Sequence, residues 1–219
     1  MIDIPPEFIL STAQTPFPSV DLALKEPNGL IAIGGELTTA RLLSAYQQGI
    51  FPWYSEGEPV IWYSPDPRMV ITRERLHISK SLAKLIKSQR FEVRVDGNFE
   101  RVIEQCQQIQ RKDQTGTWID EEMRLAYTEL HRQGYAKSVE VYQDGQLVGG
   151  LYGVSLGRVF FGESMFSQVS NASKIAFVYL LDQLDYQLVD CQVESEHLKS
   201  LGAYNIRRSA FIKTLGELL

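Results

Sequence analysis

Phe160-Phe161-Gly162-Glu163-Ser164-Met165-Phe166 is an apolar run with a single carboxylate at its centre. Aromatic residues at both ends and the preceding turn pair Gly157-Arg158 predict a mostly buried strand. Alternation along such a strand puts Phe161, Glu163, Met165 and Ser167 on one face. A carboxylate among apolar neighbours needs a partner or a ligand, so Glu163 is either a satisfied core group or part of a site. A second short apolar strand, Leu188-Val189-Asp190-Cys191-Gln192-Val193, favours the site. Its alternation predicts Asp190 and Gln192 on one face and Cys191 in the core behind them. Two interior strands that each carry acid or amide groups read as the floor of a site.

Outward from this pair the pattern is α/β. Phe91–Val95 reads as a strand, and Asn98 caps a helix with Phe99, Val102, Ile103, Cys106 and Ile109 on one face. A second helix begins near Asp120, with Met123, Tyr127 and Leu130 inward. Ser138 to Tyr142, the turn Asp144-Gly145 and Leu147 to Val154 form a hairpin, which the Glu163 strand extends into a meander. Asn171 caps a long helix through Ile175, Val178, Leu181 and Leu184, and the Asp190 strand follows. The first 66 residues differ in character, being rich in proline and aromatics. They predict a small loop-rich domain (1–66) ahead of an α/β domain (67–219) with a mixed sheet. In the first part, Thr38 or Thr39 caps a helix that Gly49 closes.

Composition and charge narrow the function. No apolar run reaches membrane-spanning length, and Met1 to Pro6 lacks a basic n-region and an apolar h-region, so a cytoplasmic protein is expected. Two distant cysteines, Cys106 and Cys191, and scattered histidines predict no metal site. The net charge of −5 argues against indiscriminate nucleic-acid binding. Cations nonetheless cluster between Arg68 and Arg94, and Lys80, Lys84 and Lys87 share one helical stripe opposite Leu82, Leu85 and Ile86. A stripe of one sign in an acidic chain reads as a phosphate-contact surface.

The order strand, two helices, three-stranded meander, helix, strand resembles the GNAT-like acyltransferase arrangement. Its pyrophosphate loop usually carries glycines, whereas Ser167-Gln168-Val169-Ser170-Asn171-Ala172-Ser173-Lys174 has none, which points to an acyl carrier other than coenzyme A. Y-Q-Q-G-I-F-P-W from Tyr46, W-Y-S-P-D-P-R from Trp62, G-T-W-I, L-V-G-G-L-Y-G-V, F-G-E-S-M-F-S, N-A-S-K, D-C-Q-V and H-L-K-S-L-G-A occur in that order. Together they resemble the bacterial leucyl/phenylalanyl-tRNA–protein transferases over most of the chain. That resemblance implies transfer of Leu, Phe or Met from aminoacyl-tRNA to proteins with an N-terminal Arg or Lys, in the N-end rule pathway, by a monomer without cofactor. It implies Asp190, Gln192 and Glu163 as catalytic residues and Leu151, Met165 and Val189 as the aminoacyl pocket. Trp53 and Trp118, with Tyr46 and Tyr127, would bind the terminal adenosine, and Lys80, Lys84 and Lys87 the tRNA acceptor stem. A coenzyme A-dependent N-acetyltransferase and a non-catalytic tRNA-binding protein are the alternatives.

Overall fold

The computed structural model describes residues 4–12, 14–109 and 119–219. Trp118, expected at the adenosine, lies outside them. Two sheets organise the chain. The first contains β1 (Ile9–Leu10), β2 (Leu30–Gly34), β3 (Phe51–Pro52) and β4 (Ile61–Tyr63) in the order β1-β2-β4-β3. Helix α1 (Thr39–Gln47) joins β2 to β3; the Thr38 hydroxyl accepts the Arg41 N–H at 3.2 Å, and Gly49 (φ +71°) stops the helix with a conformation that costs other residues strain.

The second sheet has seven strands, ordered β11-β5-β10-β9-β8-β7-β6. β5 (Arg68–Ile71) enters it directly after the first sheet and leads to α2 (Lys80–Lys87), β6 (Glu92–Val95), α3 (Phe99–Gln108) and α4 (Glu121–Arg132). The meander β7 (Ala136–Gln143), β8 (Gln146–Leu156) and β9 (Val159–Ser167) follows, then α5 (Ala172–Gln183) and β10 (Leu188–Gln192). Short α6 (Glu196–Lys199), β11 (Tyr204–Ile206) and α7 (Arg208–Leu218) close the chain. The α/β class, the mixed sheet and the expected element order are all observed. β9 and β10 are parallel, while the other neighbouring pairs of this sheet are antiparallel.

One face of the large sheet packs α3 and α4, through Phe99, Val102, Ile103, Met123, Tyr127 and Leu130, in a core continuous with that of the first sheet. The other face carries α5, whose Ile175, Ala176, Phe177, Leu180 and Leu181 are buried beneath it. α5 is apolar around most of its circumference, as an internal helix should be. Asn171 stands at its cap position in a left-handed conformation (φ 69°) and its side chain makes no capping bond. Ser167 at the end of β9 does that work, its Oγ accepting the Ser173 N–H at 2.9 Å.

Candidate active site

Two β-bulges build the site, and they break the alternation expected from the sequence. Between β8 and β9, Gly153 pairs with Gly162 but Tyr152 with Ser164, so Glu163 is the extra residue. Phe161 and Phe166 therefore lie in the α3/α4 core, while Phe160 and Met165 pack on the α5 side. Met165 thus falls on the face opposite Phe161, not beside it. Between β10 and β5, Asp190 pairs with Val70 and Gln192 with Met69, so Cys191 is extra in turn. A bulge re-aims side chains and ends pairing, and here two occur on adjacent strands at the same height. β9 and β10 last pair at Phe161 and Asp190 and then part.

The gap between them is a pocket of about 480 Å³. Leu151, Met165 and Val189, expected to form the aminoacyl pocket, all line it. Phe160, Phe177, Cys191 and Leu198 share its apolar wall, and Trp53, 38% exposed, stands with Phe51 and Pro52 on the first-sheet side. Cys191 is buried as expected, but the bulge brings it to the wall of the pocket. Burial, reinforced by the neighbouring Asp190 charge, pushes its thiol pKa well above the usual value.

The polar groups converge on Glu163. Its Oε1 accepts the Gln192 amide N–H at 2.8 Å and its Oε2 accepts the Tyr127 hydroxyl at 3.0 Å. Tyr127 in turn hydrogen-bonds Tyr46. Burial raises the Glu163 pKa to about 7, against the opposing pull of the tyrosine hydroxyls. The same burial, with the Glu163 charge next in weight, pushes both tyrosine pKa values up. Tyr46 and Tyr127 are fully enclosed, so their rings offer no open face to an adenosine; they brace the carboxylate instead.

Asp190 is wholly buried and does not touch the Gln192 amide. Its Oδ1 accepts the Gln192 backbone N–H at 2.9 Å, and Gln192 adopts φ 63°. Both Asp190 oxygens are bound by Arg68, Nε to Oδ1 at 2.8 Å and a terminal nitrogen to Oδ2 at 2.6 Å. Arg68 was given no role by sequence reading. It is fully buried, donates to the Gly49 carbonyl at 3.1 Å, and lies 4.7 and 4.6 Å from the ring centres of Phe51 and Phe211. Only its place at the end of W-Y-S-P-D-P-R pointed to it. His197, also unassigned, lines the pocket; partial burial and the Lys174 charge hold its pKa below the usual value.

Away from the pocket, Lys80, Lys84 and Lys87 project into solvent from α2, and no ion pair joins them to a carboxylate among the described residues. Leu82 anchors the opposite side, but Ile86, expected inward, is 38% exposed. Among the described residues no group of His, Cys, Asp and Glu converges to hold a metal ion, and no helix is long and apolar enough to cross a membrane.

Comparison with known proteins gives the family. The family model for leucyl/phenylalanyl-tRNA protein transferase matches residues 70–216, and the model for its N-terminal domain matches residues 35–66. The chain is 54% identical over 209 residues to the leucyl/phenylalanyl-tRNA–protein transferase of Nitrosomonas eutropha, covering 94% of this chain and 89% of that one. The enzyme of the same description from Saccharophagus degradans is 50% identical, with 98% and 89% covered. Among solved structures, a GCN5-related N-acetyltransferase from Kribbella flavida aligns with a TM-score of 0.39 at 10% identity, covering 74% of this chain and 58% of that one. That structural likeness is too slight to carry an argument; the sequence matches are not. The chain belongs to the leucyl/phenylalanyl-tRNA–protein transferase family, and is an enzyme that transfers an amino acid from aminoacyl-tRNA to protein.

Proposed function

We propose that this enzyme moves leucine, phenylalanine or, less readily, methionine from its tRNA to the α-amine of proteins beginning with Arg or Lys. It works as a cytoplasmic monomer, and the product is marked for degradation by the N-end rule. The observation that supports the chemistry is the pocket between β9 and β10, with an apolar wall on one side and the Glu163–Gln192 pair on the other. The division into lobes at residues 66 and 67 is part of the same reading, supported by the chain leaving one sheet after β4 and entering the other at β5.

The reaction is ester aminolysis. The new N–C bond forms at the acyl carbon, the ester C–O bond to the ribose breaks, and the amine gives up a proton. An α-amine has a pKa of about 8, so part of it is neutral near physiological pH. The ester is already activated, and alignment can supply on the order of 7–11 kcal/mol of the barrier. Gln192 is the aligning group. Its amide nitrogen is engaged by Glu163, which leaves its oxygen to accept an N–H of the incoming amine. An amide is too weak a base to remove the proton. Glu163 holds the α-amino group of the donor, and the proton leaves through water or the ribose hydroxyl. Leu151, Met165 and Val189 take the donor side chain, Trp53 and Trp118 flank the adenosine, and Lys80, Lys84 and Lys87 hold acceptor-stem phosphates.

The test is direct. Labelled Leu-tRNA is incubated with the enzyme and peptides that start with Arg, Lys or Glu. Label in the Arg and Lys peptides alone supports the reading. Label in no peptide, or equally in the Glu peptide, overturns it.

A further inference from the structure

Arg68 and the backbone of Gln192 meet at one carboxylate. Gln192 is not glycine, yet it holds φ 63°, a conformation that L-residues adopt only where surroundings impose it. What imposes it is visible. The Asp190 side chain turns back on the chain and takes the Gln192 N–H, closing a two-residue loop, and the bulge at Cys191 leaves that N–H free of the ladder. Asp190 can make this bond in only one orientation, because the planar fork of Arg68 grips both of its oxygens.

Arg68 is itself held from several sides. The Gly49 carbonyl takes a third N–H, and the ring centres of Phe51 and Phe211 lie within 5 Å of the guanidinium carbon. Phe51 lines the pocket next to Trp53, so the same guanidinium contacts the first-sheet wall and, through Asp190, the Gln192 wall. Enclosing a charge pair this completely is not an efficient route to stability, since apolar residues of similar volume often serve as well. It does fix geometry.

We infer that Arg68 is a positioning residue for aminoacyl transfer, setting through Asp190 the left-handed turn that aims the Gln192 amide at Glu163 and into the pocket. This rests on the reading of Gln192 as the group that aligns the amine. Arg68 touches neither substrate; it acts through the orientation of Gln192. Asp190 is correspondingly a support whose oxygens are committed to Arg68 and to a backbone N–H.

A double-mutant cycle separates this from a general structural role. Arg68→Lys keeps the charge but loses the fork. With aminoacyl-adenosine as donor and an Arg-starting peptide, kcat should fall by about 10- to 100-fold, the loss expected for misplacement of order 1 Å, with KM within about twofold. Combined with Gln192→Ala, it should lower kcat by less than about threefold further, because the residue it orients is gone. A full additional loss in the Gln192→Ala background, or an unchanged kcat in Arg68→Lys alone, overturns the inference. If Gln192→Ala itself leaves kcat intact, the reading of Gln192 fails first, and the inference falls with it. Should Arg68→Lys lack a cooperative thermal transition, Asp190→Asn enters the same cycle, since it loosens the grip of Arg68 while preserving shape. Non-additivity with Gln192→Ala then supports the inference and additivity refutes it.

Discussion

Replacing Glu163 by Gln separates the electrostatics of this carboxylate from its shape. Folding raises the Glu163 pKa from the ordinary 4.5 to about 7, chiefly through burial. Between those values the folded chain keeps a proton that the unfolded chain has released. The stability associated with that proton is complete below about pH 4.5 and lost as pH rises through about 7. At about 1.4 kcal/mol per pH decade, the interval amounts to roughly 3 kcal/mol. The residue is only 7% exposed, so solvent screening takes little from that figure. Glu163→Gln is nearly isosteric with the protonated acid but never ionises. At pH 5 the two proteins should differ by no more than about 1 kcal/mol, the worth of one altered hydrogen bond. By pH 8.5 the variant should be the more stable by up to about 3 kcal/mol, or roughly 6–12 °C in Tm for a chain of this size. Urea titrations of both proteins at pH 5, 6, 7 and 8.5 measure the difference directly. A difference that stays flat across that range would refute the account of a buried carboxylate held against its solvation. If Glu163 holds the donor amino group as proposed, activity should move the opposite way, because the variant cannot balance that ammonium at any pH.

Changing Lys80, Lys84 and Lys87 together to Ala should weaken tRNA binding and reduce the slope of log K against log salt by about 2 to 3, while an aminoacyl-adenosine donor reacts normally; equal loss with both donors would assign the stripe to folding. Gly153→Ala should cost at least about 2–3 kcal/mol, because a Cβ there would stand 2.1 Å from the Phe161 carbonyl and 2.7 Å from the Phe160 ring, just below the Glu163 bulge; a Tm within about 2 °C of the parent would show that the β8–β9 spacing can relax.

The sequence carries the elements well and the site only in part. The cap at Thr38 or Thr39, the cap at Asn98, a helix beginning near Asp120, the Asp144-Gly145 turn and the helical periodicity of α3 and α4 are local signals, and the structure agrees with them, choosing Thr38 as the cap. The bulges are not local signals. Each adds one residue to one strand, and nothing in Gly162-Glu163-Ser164 or Asp190-Cys191-Gln192 marks which residue is extra. Simple alternation therefore put Met165 with Phe161 and Cys191 away from the pocket, and both shifted by one position. Arg68 is harder still to foresee. Its partner lies 122 residues along the chain. The bracing of Glu163 has the same character, since Tyr46 and Tyr127 are 81 residues apart. Ile86 erred for a different reason: an eight-residue helix at the edge of the fold buries a narrow strip, and Leu82 fills it.

The arrangement around Gln192 leads to a final prediction about its role. The Gln192 amide nitrogen lies 2.8 Å from Glu163 Oε1, so Gln192→Glu sets two carboxylates at hydrogen-bond distance. Like charges so close do not both ionise; the pair keeps one proton and titrates in two separated steps. Near pH 7 the pair keeps one proton and one negative charge where the parent has a neutral amide bonded to a carboxylate, so the orientation that the amide gives the amine is disturbed. If Gln192 serves only to orient the nucleophile, the variant loses turnover by about 10- to 100-fold while its tRNA affinity is unchanged. If Gln192 instead removes the proton, a true base at the same reach should sustain or raise the rate, and the pH–rate profile should gain a limb with a carboxylate-like pKa. Measuring kcat from pH 5 to 9 with aminoacyl-adenosine, where tRNA binding plays no part, distinguishes the outcomes. An active Gln192→Glu enzyme with that new limb would overturn the aligning role. Asp190→Asn provides the complementary measurement. It weakens the grip of Arg68 without adding charge, so an aligning role requires a lower kcat with no new titration in the profile. If Gln192→Glu does gain such a limb, adding Asp190→Asn to it should displace that limb, because the buried charge beside the new carboxylate has changed.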